Sequence, residues 1–563
     1  MSVQDLFKSY FDVAFAAPDG VKRLRELILS VAMRGLLVPQ VPSDRPASEL
    51  LMEIEAERRR LVKAGKIKKS KPLPEIMPDE VPYDLPDSWE WVRLGNLVRV
   101  INGRAYKKNE MLDSGTPLLR VGNLFTSKQW YYSDLQLEED KYIQRGDLIY
   151  AWSASFGPFI WMGEKVIYHY HIWKINRFLP ALLSKKYLYH FLEESTERIK
   201  KSGNGIAMIH MTKERMEKLI IPFPPLEEQK RIVEKIDRLM EQCDRLEQLR
   251  TEREQKRLTA HAAVNHRLLN AKDDRELQAA WGFIRDRFGE LYAVKENVSE
   301  LRKAILQLAV MGKLVPQDPR DRPASELLKE IQTEKQRLIK EGKIKKKKTL
   351  KTTNLSHIQI LPENWEMARF SDILIDLKYG TSRKCDYIQN GFPVLRIPNL
   401  NVDSGKIDVT DLKYTQLTCQ EIKDLSLTSG DLLVVRSNGS ASLVGRPAII
   451  DDNSQGFAYA GYLIRLRFSP QCIYSRYLYF ALNTIFVRKQ IEDPIRTTSG
   501  VKNINSKEIN CLIIPLPPFP EQKRIVAKID HLMHLCDQLE TNITQQTTRQ
   551  TQLLNAILAN LNP

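Results

Sequence analysis

Histidines, carboxylates and glycine–lysine pairs are the residues of this sequence that could carry out chemistry, but their spacing forms no recognisable site. His531 and His534 are one helical turn apart and could bind a metal, yet such a pair is more often solvated beside a helix seam. Pro78-Asp79 followed by Glu139-Asp140-Lys141 resembles a nuclease pattern so loosely that a charged chain of this length meets it by accident. We therefore predict no catalytic residue and no metal ligand.

Motifs that bind phosphates or cofactors are also missing from the sequence. Gly312-Lys313 and Gly342-Lys343 lack the preceding glycine and the following serine or threonine of a phosphate-binding loop. No glycine-rich loop follows a predicted strand in the way that dinucleotides or S-adenosylmethionine require. The Asn/Asp-Pro-Pro-Tyr/Phe motif of amino-methyltransferases is absent, since the Pro-Pro pairs follow Phe223 and Leu516. The sequence thus predicts that this chain binds no cofactor of its own.

The composition indicates a folded and basic chain. Hydrophobic residues make up 42% and charged residues 28%, and 86 Lys and Arg against 70 Asp and Glu give a net charge of +16. The hydrophobic content excludes a mainly disordered chain. The positive charge favours a nucleic-acid partner first and an acidic membrane surface second, and the alternative is that the excess of Lys and Arg only keeps the protein soluble. Six cysteines without a CxxC spacing suggest neither a zinc ribbon nor a disulfide framework. With no signal peptide and no long apolar run, we expect a cytoplasmic protein that contacts no membrane.

The strongest feature of the sequence is an internal duplication. Residues 37–71 and 314–348 are identical at 25 of 35 positions, and residues 220–247 and 513–540 at 20 of 28. Between these blocks the two copies diverge, and only short anchors persist. The pattern indicates one architecture with two different contents, which is typical of two sites that share a scaffold but not a specificity.

Each copy ends in a predicted long helix. Apolar residues recur at steps of four and three, which is the spacing of a coiled-coil seam, and each run follows a proline pair that permits a helix start. The first helix extends from 226 towards 270, and the second towards Ala559. We predict an intramolecular antiparallel coiled coil instead of two amphipathic helices packed on separate globules. Its predicted seam consists of Ile232, Ile236, Leu239, Cys243, Leu246, Ile525, Ile529, Leu532, Cys536 and Leu539.

Shorter helices are predicted at 19–34 and 297–311, and again from Ala47 to about Ala64 and from Ala324 to Glu341. The second pair has plausible helix-start chemistry in Ser43 and Asp44 before Pro46, and in Asp321 before Pro323. The lysine-rich runs Lys66–Lys71 and Lys343–Lys351 close these helices, either as solvated linkers or as phosphate contacts.

The variable segments are rich in β-branched and aromatic residues and in Gly and Asn turns, which predicts mixed α/β domains of several short strands. KKYLYHFLEEST (185–196) and SRYLYFALNTIF (475–486) each predict one helix at the same place. The predicted fold class is α+β multidomain, with two mixed α/β domains joined by long helices in a pseudo-two-fold duplication. The predicted parts are a helical arm, a first variable domain, a central helical region containing the second arm, a second variable domain and a C-terminal helix, at 1–85, 86–222, 223–361, 362–515 and 516–563.

The duplicated PPLEEQKRIVEKID (224–237) and PPFPEQKRIVAKID (517–530) carry a family resemblance. Each follows a segment that opens with Trp89-Glu90 or Trp365-Glu366 and contains the pattern R-x-x-N-L. On these residues the chain resembles, over nearly its whole length, the specificity (S) subunit of type I restriction-modification enzymes. The two arms, which both contain the sequence DRPASELL, resemble the longer subunits of the family branch called type IB.

The resemblance implies two target-recognition domains, each reading one half of a bipartite and asymmetric sequence in double-stranded DNA. The coiled coil would fix the number of unread base pairs between the halves. Two modification subunits would bind the helices, supply S-adenosylmethionine and methylate an adenine in each half-site. Two restriction subunits would complete the nuclease and use ATP and Mg²⁺. The chain itself would be a non-catalytic specificity subunit.

Three loops in each variable segment combine a turn with hydrogen-bond donors, at corresponding places in the two copies. Arg120 and Arg396 lie in the shared R-x-x-N-L pattern, which favours a structural or phosphate-binding role. His169 and His171 alternate along a predicted strand, which would place both rings on one face, and we interpret them as structural or DNA-facing. The predicted DNA contacts are Asn102, Arg104, Tyr106, Lys107, Lys108, Trp152, Ser153, Ser155, Lys201, Asn204, Thr381, Arg383, Lys384, Arg436, Ser437, Asn438, Arg496, Thr498 and Lys502.

Three other functions compete with this interpretation. A methyltransferase fused to recognition domains would need the cofactor motifs that the sequence lacks. A coiled-coil scaffold that binds only proteins would need neither the basic balance nor the paired loops. A recognition subunit of another DNA-modifying defence assembly would share the whole pattern, and the sequence alone does not separate it from a type I subunit.

Overall fold

The structure is a computed structural model that describes residues 12–13, 15–69, 71–153, 156–202, 211–344, 361–493, 496–498 and 501–561, with the backbone alone at 201–202, 496–498 and 560–561. Tertiary contacts divide the chain into two units. Unit 1 is Met1–Arg253 with Thr547–Pro563, and unit 2 is Glu254–Gln546. In the described part of the chain, no helix has both the length and the apolar character needed to cross a membrane.

Two long helices, Leu226–Asn270 and Phe519–Leu561, begin in different units. The first passes from unit 1 into unit 2 and the second from unit 2 into unit 1. Both start behind a proline pair, where the backbone N–H of Gln229 donates to Pro225 at 2.9 Å and that of Gln522 to Pro518 at 3.0 Å. The predicted extents of both helices are confirmed.

The predicted seam lies partly in the core of each unit. Ile232, Ile236 and Cys243 are buried in the hydrophobic core of unit 1, and their counterparts Ile525, Ile529 and Cys536 are buried in the core of unit 2. Leu239, Leu532 and Leu539 pack against these cores, whereas Leu246 is 43% exposed. The first halves of the long helices thus bury this stripe within their own unit, and direct pairing of the two helices along it stays a prediction.

The arm of unit 1 consists of the helices Gly20–Met33 and Ala47–Lys63. Both bury one apolar face, at Ile28 and Leu50 among others, in the core that also holds Tyr187 and Ile232. The further helices of this unit are Leu94–Leu97, Val121–Phe125, Lys185–Ser202 and Lys213–Lys218, with single 3₁₀ turns at Pro78–Glu80, Lys108–Glu110 and Glu139–Lys141.

The segment 86–222, here called domain 1, contains two four-stranded sheets and a strand pair. The first sheet is antiparallel throughout, with the spatial order Val98–Asn102, Ile172–Arg177, Leu148–Ala151 and Gly157–Ile160. The second sheet is mixed, with the order Tyr131–Ser133, Thr116–Leu119, Val166–Tyr168 and Tyr142–Ile143. The antiparallel pair Glu90–Arg93 and Ile220–Phe223 joins the two ends of the domain.

Unit 2 repeats the arm with the helices Lys295–Val310 and Ala324–Lys340. Val264 and Leu268, near the end of the first long helix, lie in its core beside Leu301 and Ile305. The other helices of this unit are Asp274–Asp286, Phe288–Leu291, Phe370–Ile373, Cys419–Leu425, Ser475–Leu482, Ile485–Glu492 and Ser506–Cys511, with a 3₁₀ turn at Ile397–Asn399.

The segment 362–515, here called domain 2, has the same two principal sheets. The antiparallel sheet has the order Leu374–Tyr379, Leu463–Phe468, Leu432–Val435 and Pro447–Ile449, and the mixed sheet has Lys413–Thr415, Phe392–Leu395 and Ala458–Tyr459. Glu366–Arg369 pairs with Ile513–Leu516, as the matching strands do in domain 1. Two small additions are the pair Leu400–Asn401 with Lys406–Ile407, and the sheet Ser437–Asn438, Val501–Asn503 and Arg496–Thr498. The predicted fold class, two mixed α/β domains joined by long helices in an internal duplication, is confirmed.

Two local predictions were wrong. The segment 475–486 was predicted as one helix, but the helix ends at Leu482 and a new one begins at Ile485. The Thr484 hydroxyl accepts a hydrogen bond from the backbone N–H of Val487 at 3.4 Å and so caps the second helix. Similarly, the helices that begin at Ala47 and Ala324 have Pro46 and Pro323 as N-cap residues without a side-chain cap bond. Asp44 and Asp321 pair with Arg231 and Arg524 instead.

Candidate nucleic-acid interface

Two predicted recognition loops of domain 1 meet at one turn, residues 169–171. The backbone N–H of Arg104 donates to the carbonyl oxygen of Tyr168, just before this turn, at 3.1 Å. The N–H of Trp152 donates to the carbonyl oxygen of His171 at 3.1 Å. The fold therefore brings together loops that are almost 50 residues apart in the sequence.

Domain 2 brings its predicted loops together in the same way, at residues 460–462. The N–H of Thr381 donates to the carbonyl oxygen of Tyr459 at 2.8 Å, and that of Arg436 donates to Tyr462 at 2.7 Å. The third loop joins them through the small three-stranded sheet, in which Ser437–Asn438 and Arg496–Thr498 both pair with Val501–Asn503. The second predicted loop of domain 2 thus adjoins the first at the turn and the third through this sheet.

The first loop of domain 1 presents several polar residues. Asn102 is exposed at the end of its strand, and Lys107 and Lys108 are exposed beyond it. The Arg104 guanidinium forms a two-pronged ion pair with the Glu110 carboxylate, at 2.7 and 3.1 Å, and this contact lowers the pKa of the carboxyl. Arg104 is consequently held in one orientation by the protein itself.

Tyr106, also predicted as a DNA contact, is a core residue instead. Its side chain is 8% exposed and lies in a cluster with Leu118, Tyr142 and Ile167. Burial raises the pKa of its hydroxyl to about 12. The loop folds back at this aromatic ring because its burial removes apolar area from water, which a sequence pattern rich in Lys and Asn does not indicate.

Trp152 forms part of an aromatic stack in domain 1. Its indole lies 5.7 Å from that of Trp173 at an angle of 21°, and its Nε1–H donates to the carbonyl oxygen of Tyr170 at 2.8 Å. The ring of His171 meets the indole edge-on at 5.0 Å. Ser153 is half-buried beside it. Ser155 and Asn204 lie outside the described residues, and for Lys201 only the backbone is described.

In the first loop of domain 2, an arginine is also held in place by an ion pair with the protein itself. The Arg383 guanidinium donates to both oxygens of Glu421, at 2.9 and 3.0 Å. The N–H of Thr418 and the Arg383 guanidinium hold the pKa of the Glu421 carboxyl down at about 2. The hydroxyl of Thr381 accepts from the N–H of Arg383 at 3.1 Å, and Lys384 is exposed next to them.

Arg436 lies at the centre of the loops of domain 2. Its guanidinium donates to the carbonyl oxygen of Gly461 at 3.2 Å and lies 4.8 Å above the ring of Tyr379. Ser437 and Asn438 continue from it as a strand, and Asn438 pairs with Lys502. Arg496 and Thr498 lie on the edge strand of the same sheet, where only their backbone is described.

The turn itself was missing from the predicted contacts. His169 and His171 were expected to alternate along a strand, but the strand ends at Tyr168 and residues 170–171 form a tight turn. Their rings are still neighbours, with centroids 4.8 Å apart. Burial, with a smaller effect of nearby His171, lowers the pKa of His169 to about 4. The aromatic tripeptide between two strands was the only signal from which the sequence could have identified this place.

The repeated motifs form a second kind of site, here called the junction. The indole Nε1–H of Trp89 donates to Glu228 at 2.9 Å, and the amide of Gln40 donates to the same carboxylate at 2.6 Å. In unit 2, Trp365 donates to Glu521 at 3.0 Å and Gln317 at 2.8 Å. Burial raises the pKa of both carboxyls.

The neighbouring glutamine ties each long helix to its variable domain. The side-chain oxygen of Gln229 accepts from the N–H of Ser184 at 2.8 Å, and that of Gln522 accepts from Tyr474 at 2.8 Å. Arg231 pairs with Asp44 and Arg524 with Asp321, each at 2.6 Å. The duplicated E-Q-K-R motif therefore joins helix, arm and domain in both units, a role that the sequence did not reveal.

Neither chemical candidate from the sequence assembles into a site. His531 and His534 are exposed on the second long helix, where His534 contacts Gln538. Asp140 pairs with Arg99 at 3.2 Å. Among the described residues, no group of three His, Cys, Asp or Glu side chains could hold a metal ion.

The first lysine-rich run lies along a cleft of unit 1. Lys66, Lys68, Lys69 and Lys71 line it together with Arg58. The second run lies mostly at 345–351, outside the described residues. A solvated linker and a phosphate contact therefore both stay predictions.

Comparison with known proteins identifies the family. The family described as "Type I restriction modification DNA specificity domain" matches residues 86–255 and 362–549. The chain is 33% identical over 562 residues to the type I restriction enzyme EcoAI specificity subunit of Escherichia coli, covering 95% of this chain and 92% of that protein. It is 31% identical over 576 residues to the EcoEI specificity subunit of the same species, with the same coverage.

Among solved structures, the HsdS subunit from Thermoanaerobacter tengcongensis is similar, with a TM-score of 0.42, 17% identity, and coverage of 84% of this chain and 98% of that one. The two family matches fall on the two copies that the structure shows to share their sheets and their junctions. Together with two relatives that align along nearly the full chain, they show that the chain belongs to the family of type I restriction-modification DNA specificity subunits.

Proposed function

We propose that the two domains of this specificity subunit read the two halves of one bipartite DNA site. Domain 1 (86–222) reads one half and domain 2 (362–515) the other. One observation carries this proposal: two predicted loops of each domain meet at an equivalent turn, whereas the side chains on the loops differ. Because the two sets of donors differ, the half-sites differ and the whole site is asymmetric.

The helical parts would hold the two domains and bind the catalytic partners. In this proposal the arms and long helices (1–85, 223–361 and 516–563) set the spacer between the half-sites and dock two modification subunits. Those subunits supply S-adenosylmethionine and methylate an adenine in each half-site. Two restriction subunits add an ATP-dependent nuclease that needs Mg²⁺, so that the chain itself contributes recognition and no catalysis. The net charge of +16 suits binding to a phosphate backbone.

Mapping of methylated adenine at base resolution tests the proposal. Genomic DNA is compared between cells with the chain and its modification partner and cells from which only the chain is deleted. We expect a bipartite motif with a fixed gap that disappears on deletion. Replacement of residues 86–222 by the corresponding domain of a relative should change one half of the motif and leave the other half and the gap intact.

Other results would favour other functions. A motif without a fixed gap, or one that changes in both halves, would contradict the division between two domains. A chain that co-purifies with the modification subunit but leaves methylation unchanged on deletion would favour a protein-binding scaffold. A motif modified on a base other than adenine would favour another DNA-modifying assembly.

A further inference from the structure

The turn that joins two strands at 169–171 in domain 1 has a counterpart at 460–462 in domain 2, and we call both recognition turns. Each follows a strand of the mixed sheet, which is an inner strand in domain 1 and an edge strand in domain 2, and each leads into a central strand of the antiparallel sheet. Each therefore lies where the two principal sheets of its domain meet.

Six backbone hydrogen bonds in each domain hold the two recognition turns in the same frame. Their donor–acceptor distances are 2.9 to 3.2 Å in domain 1 and 2.7 to 3.3 Å in domain 2. From N–H to carbonyl oxygen, they are Gly103–Ile172, Arg104–Tyr168, Tyr170–Arg104, Trp152–His171, His169–Leu119 and Ile172–His169 in domain 1, and Gly380–Leu463, Thr381–Tyr459, Gly461–Thr381, Arg436–Tyr462, Ala460–Leu395 and Leu463–Ala460 in domain 2.

One glycine in each domain makes this frame possible. A Cβ atom on Gly103 would lie 2.3 Å from the carbonyl oxygen of His169, and a Cβ on Gly380 would lie 2.3 Å from that of Ala460. Both distances are far below any van der Waals contact, and the atom approached is backbone. Every residue except glycine would force the loop away from the turn. A glycine at this position therefore permits the same backbone frame in both domains.

The side chains on this common frame are different. Domain 1 has His169, Tyr170 and His171, of which Tyr170 is 39% exposed. Domain 2 has Ala, Gly and Tyr at the matching positions, of which Tyr462 is 61% exposed. The neighbours on the adjoining loops differ as well, since Arg104 corresponds to Thr381 and Trp152 to Arg436.

We infer that the recognition turns determine which bases each domain accepts, with Tyr170 in domain 1 and Tyr462 in domain 2 as specificity-determining residues. This inference rests on the proposed function, because it assigns to a named element the reading of the half-site. The same backbone frame with different side chains would place different chemical groups at the same position beside DNA. Each turn carries one exposed tyrosine, at its middle residue in domain 1 and at its last residue in domain 2. Such a tyrosine offers a hydroxyl donor and acceptor and an apolar ring edge, which suit hydrogen bonding and contact with a thymine methyl group.

The test uses the complete methylation complex, formed by this chain and its modification subunits. The half-sites are first mapped with the native complex, and the half read by domain 1 is identified by exchange of residues 86–222. Methylation rates are then measured on duplexes that carry each single base-pair substitution in either half-site. The variants are Tyr170→Ala and Tyr462→Ala, each of which is the matched control for the other. Unchanged thermal unfolding of each variant verifies that its domain is still folded.

We expect Tyr170→Ala to lose discrimination, by about 5- to 100-fold at one or two base pairs, only in the half-site of domain 1. Tyr462→Ala should do the same only in the other half-site. A second variant exchanges the whole turn, His169→Ala, Tyr170→Gly and His171→Tyr, and should alter the preferred base at those positions.

The inference would be overturned if both tyrosine variants kept full discrimination in both half-sites. It would also be overturned if binding weakened equally on all sequences, because that result indicates a phosphate contact and no base reading. These outcomes differ from failure of the proposed function, in which the native complex itself would show no bipartite motif that depends on this chain.

Discussion

The junction and the recognition turn are both duplicated, but in different ways. At the junction, the side chains and their contacts are repeated, since Trp89 and Gln40 hold Glu228 as Trp365 and Gln317 hold Glu521. At the turn, the backbone contacts are repeated, but the three residues of the turn itself differ between the domains.

The difference follows from what each region has to do. A buried carboxylate needs its particular donors, because an unpaired one costs several times a hydrogen bond, and this requirement fixes the residue types. A turn held by its own N–H and carbonyl groups needs no particular side chains and leaves them free to differ. In this chain the junction is thus repeated in its side chains, and the turn in its backbone contacts.

The largest expected effect is at the junction. Trp89→Ala should destabilise unit 1 by about 3–5 kcal/mol, because it leaves a cavity and removes a donor from the buried Glu228. Trp365→Ala should cost unit 2 a similar amount. Hydrogen–deuterium exchange of peptides from each unit measures both. A large effect in one unit and none in the other would refute the equivalence of the junctions. Trp89→Phe, which keeps an aromatic ring, should cost less.

The second-largest expected effect is on the hydrogen-bonded backbone frame of the recognition turn. Gly103→Ala and Gly380→Ala should each destabilise their own domain by about 1–3 kcal/mol, since the new Cβ overlaps a backbone carbonyl. Thermal unfolding of the variants, together with methylation of each half-site, checks this. Gly439→Ala is the matched control in domain 2, because nothing lies within 4 Å of its Cβ position. Equal stability of Gly380→Ala and Gly439→Ala would show that the close approach is unimportant.

The repeated ion pairs, Arg231 with Asp44 and Arg524 with Asp321, should contribute less to the free energy of unfolding. Arg231→Met should cost about 1 kcal/mol, because the arginine is about a third exposed and water screens the pair, although the Asp44 side chain is only 10% exposed. Arg524→Met should behave alike. Lys186→Met, which breaks an exposed pair with Asp237, should cost less than about 0.5 kcal/mol. Chemical denaturation ranks the three, and a larger cost for the exposed pair would contradict this order.

The smallest effect concerns pH. With a pKa of about 4, His169 stays neutral between pH 8 and 6, so its titration should not alter discrimination by domain 1 in that range. Below about pH 6.5 the unfolded chain takes up this proton before the folded one does, so stability is lost as the pH falls towards 4. NMR titration of the imidazole measures the pKa, and a value near 6.5 would contradict the burial of this ring.

Much of the fold was predictable because its signals are local or repeated. The long helices follow from apolar spacing and proline pairs, and the arms from repeated helical patterns. The break at Asn483-Thr484 was not predictable, because a threonine hydroxyl that caps a new helix looks like any residue of a helical run. The burial of Tyr106 was missed for a similar reason, since its partners Leu118, Tyr142 and Ile167 are distant in sequence.

The predicted recognition loops were chosen from the sequence, but the sequence did not show where they meet. Turn residues and donors at corresponding places indicated the loops around Arg104, Trp152, Thr381 and Arg436. Their common neighbour, the turn at 169–171 or 460–462, has no shared side chain by which the two copies could be aligned.

The sequence by itself determined the duplication, the two long helices, the two variable domains and the family, because identity and apolar periodicity are properties of the chain alone. Only the tertiary structure decided that E-Q-K-R joins helix, arm and domain, and that two predicted loops of each domain converge on one turn. The reason is physical: both depend on hydrogen bonds between residues far apart in the chain, such as Trp89 to Glu228, and such contacts exist only once the sheets and helices have packed.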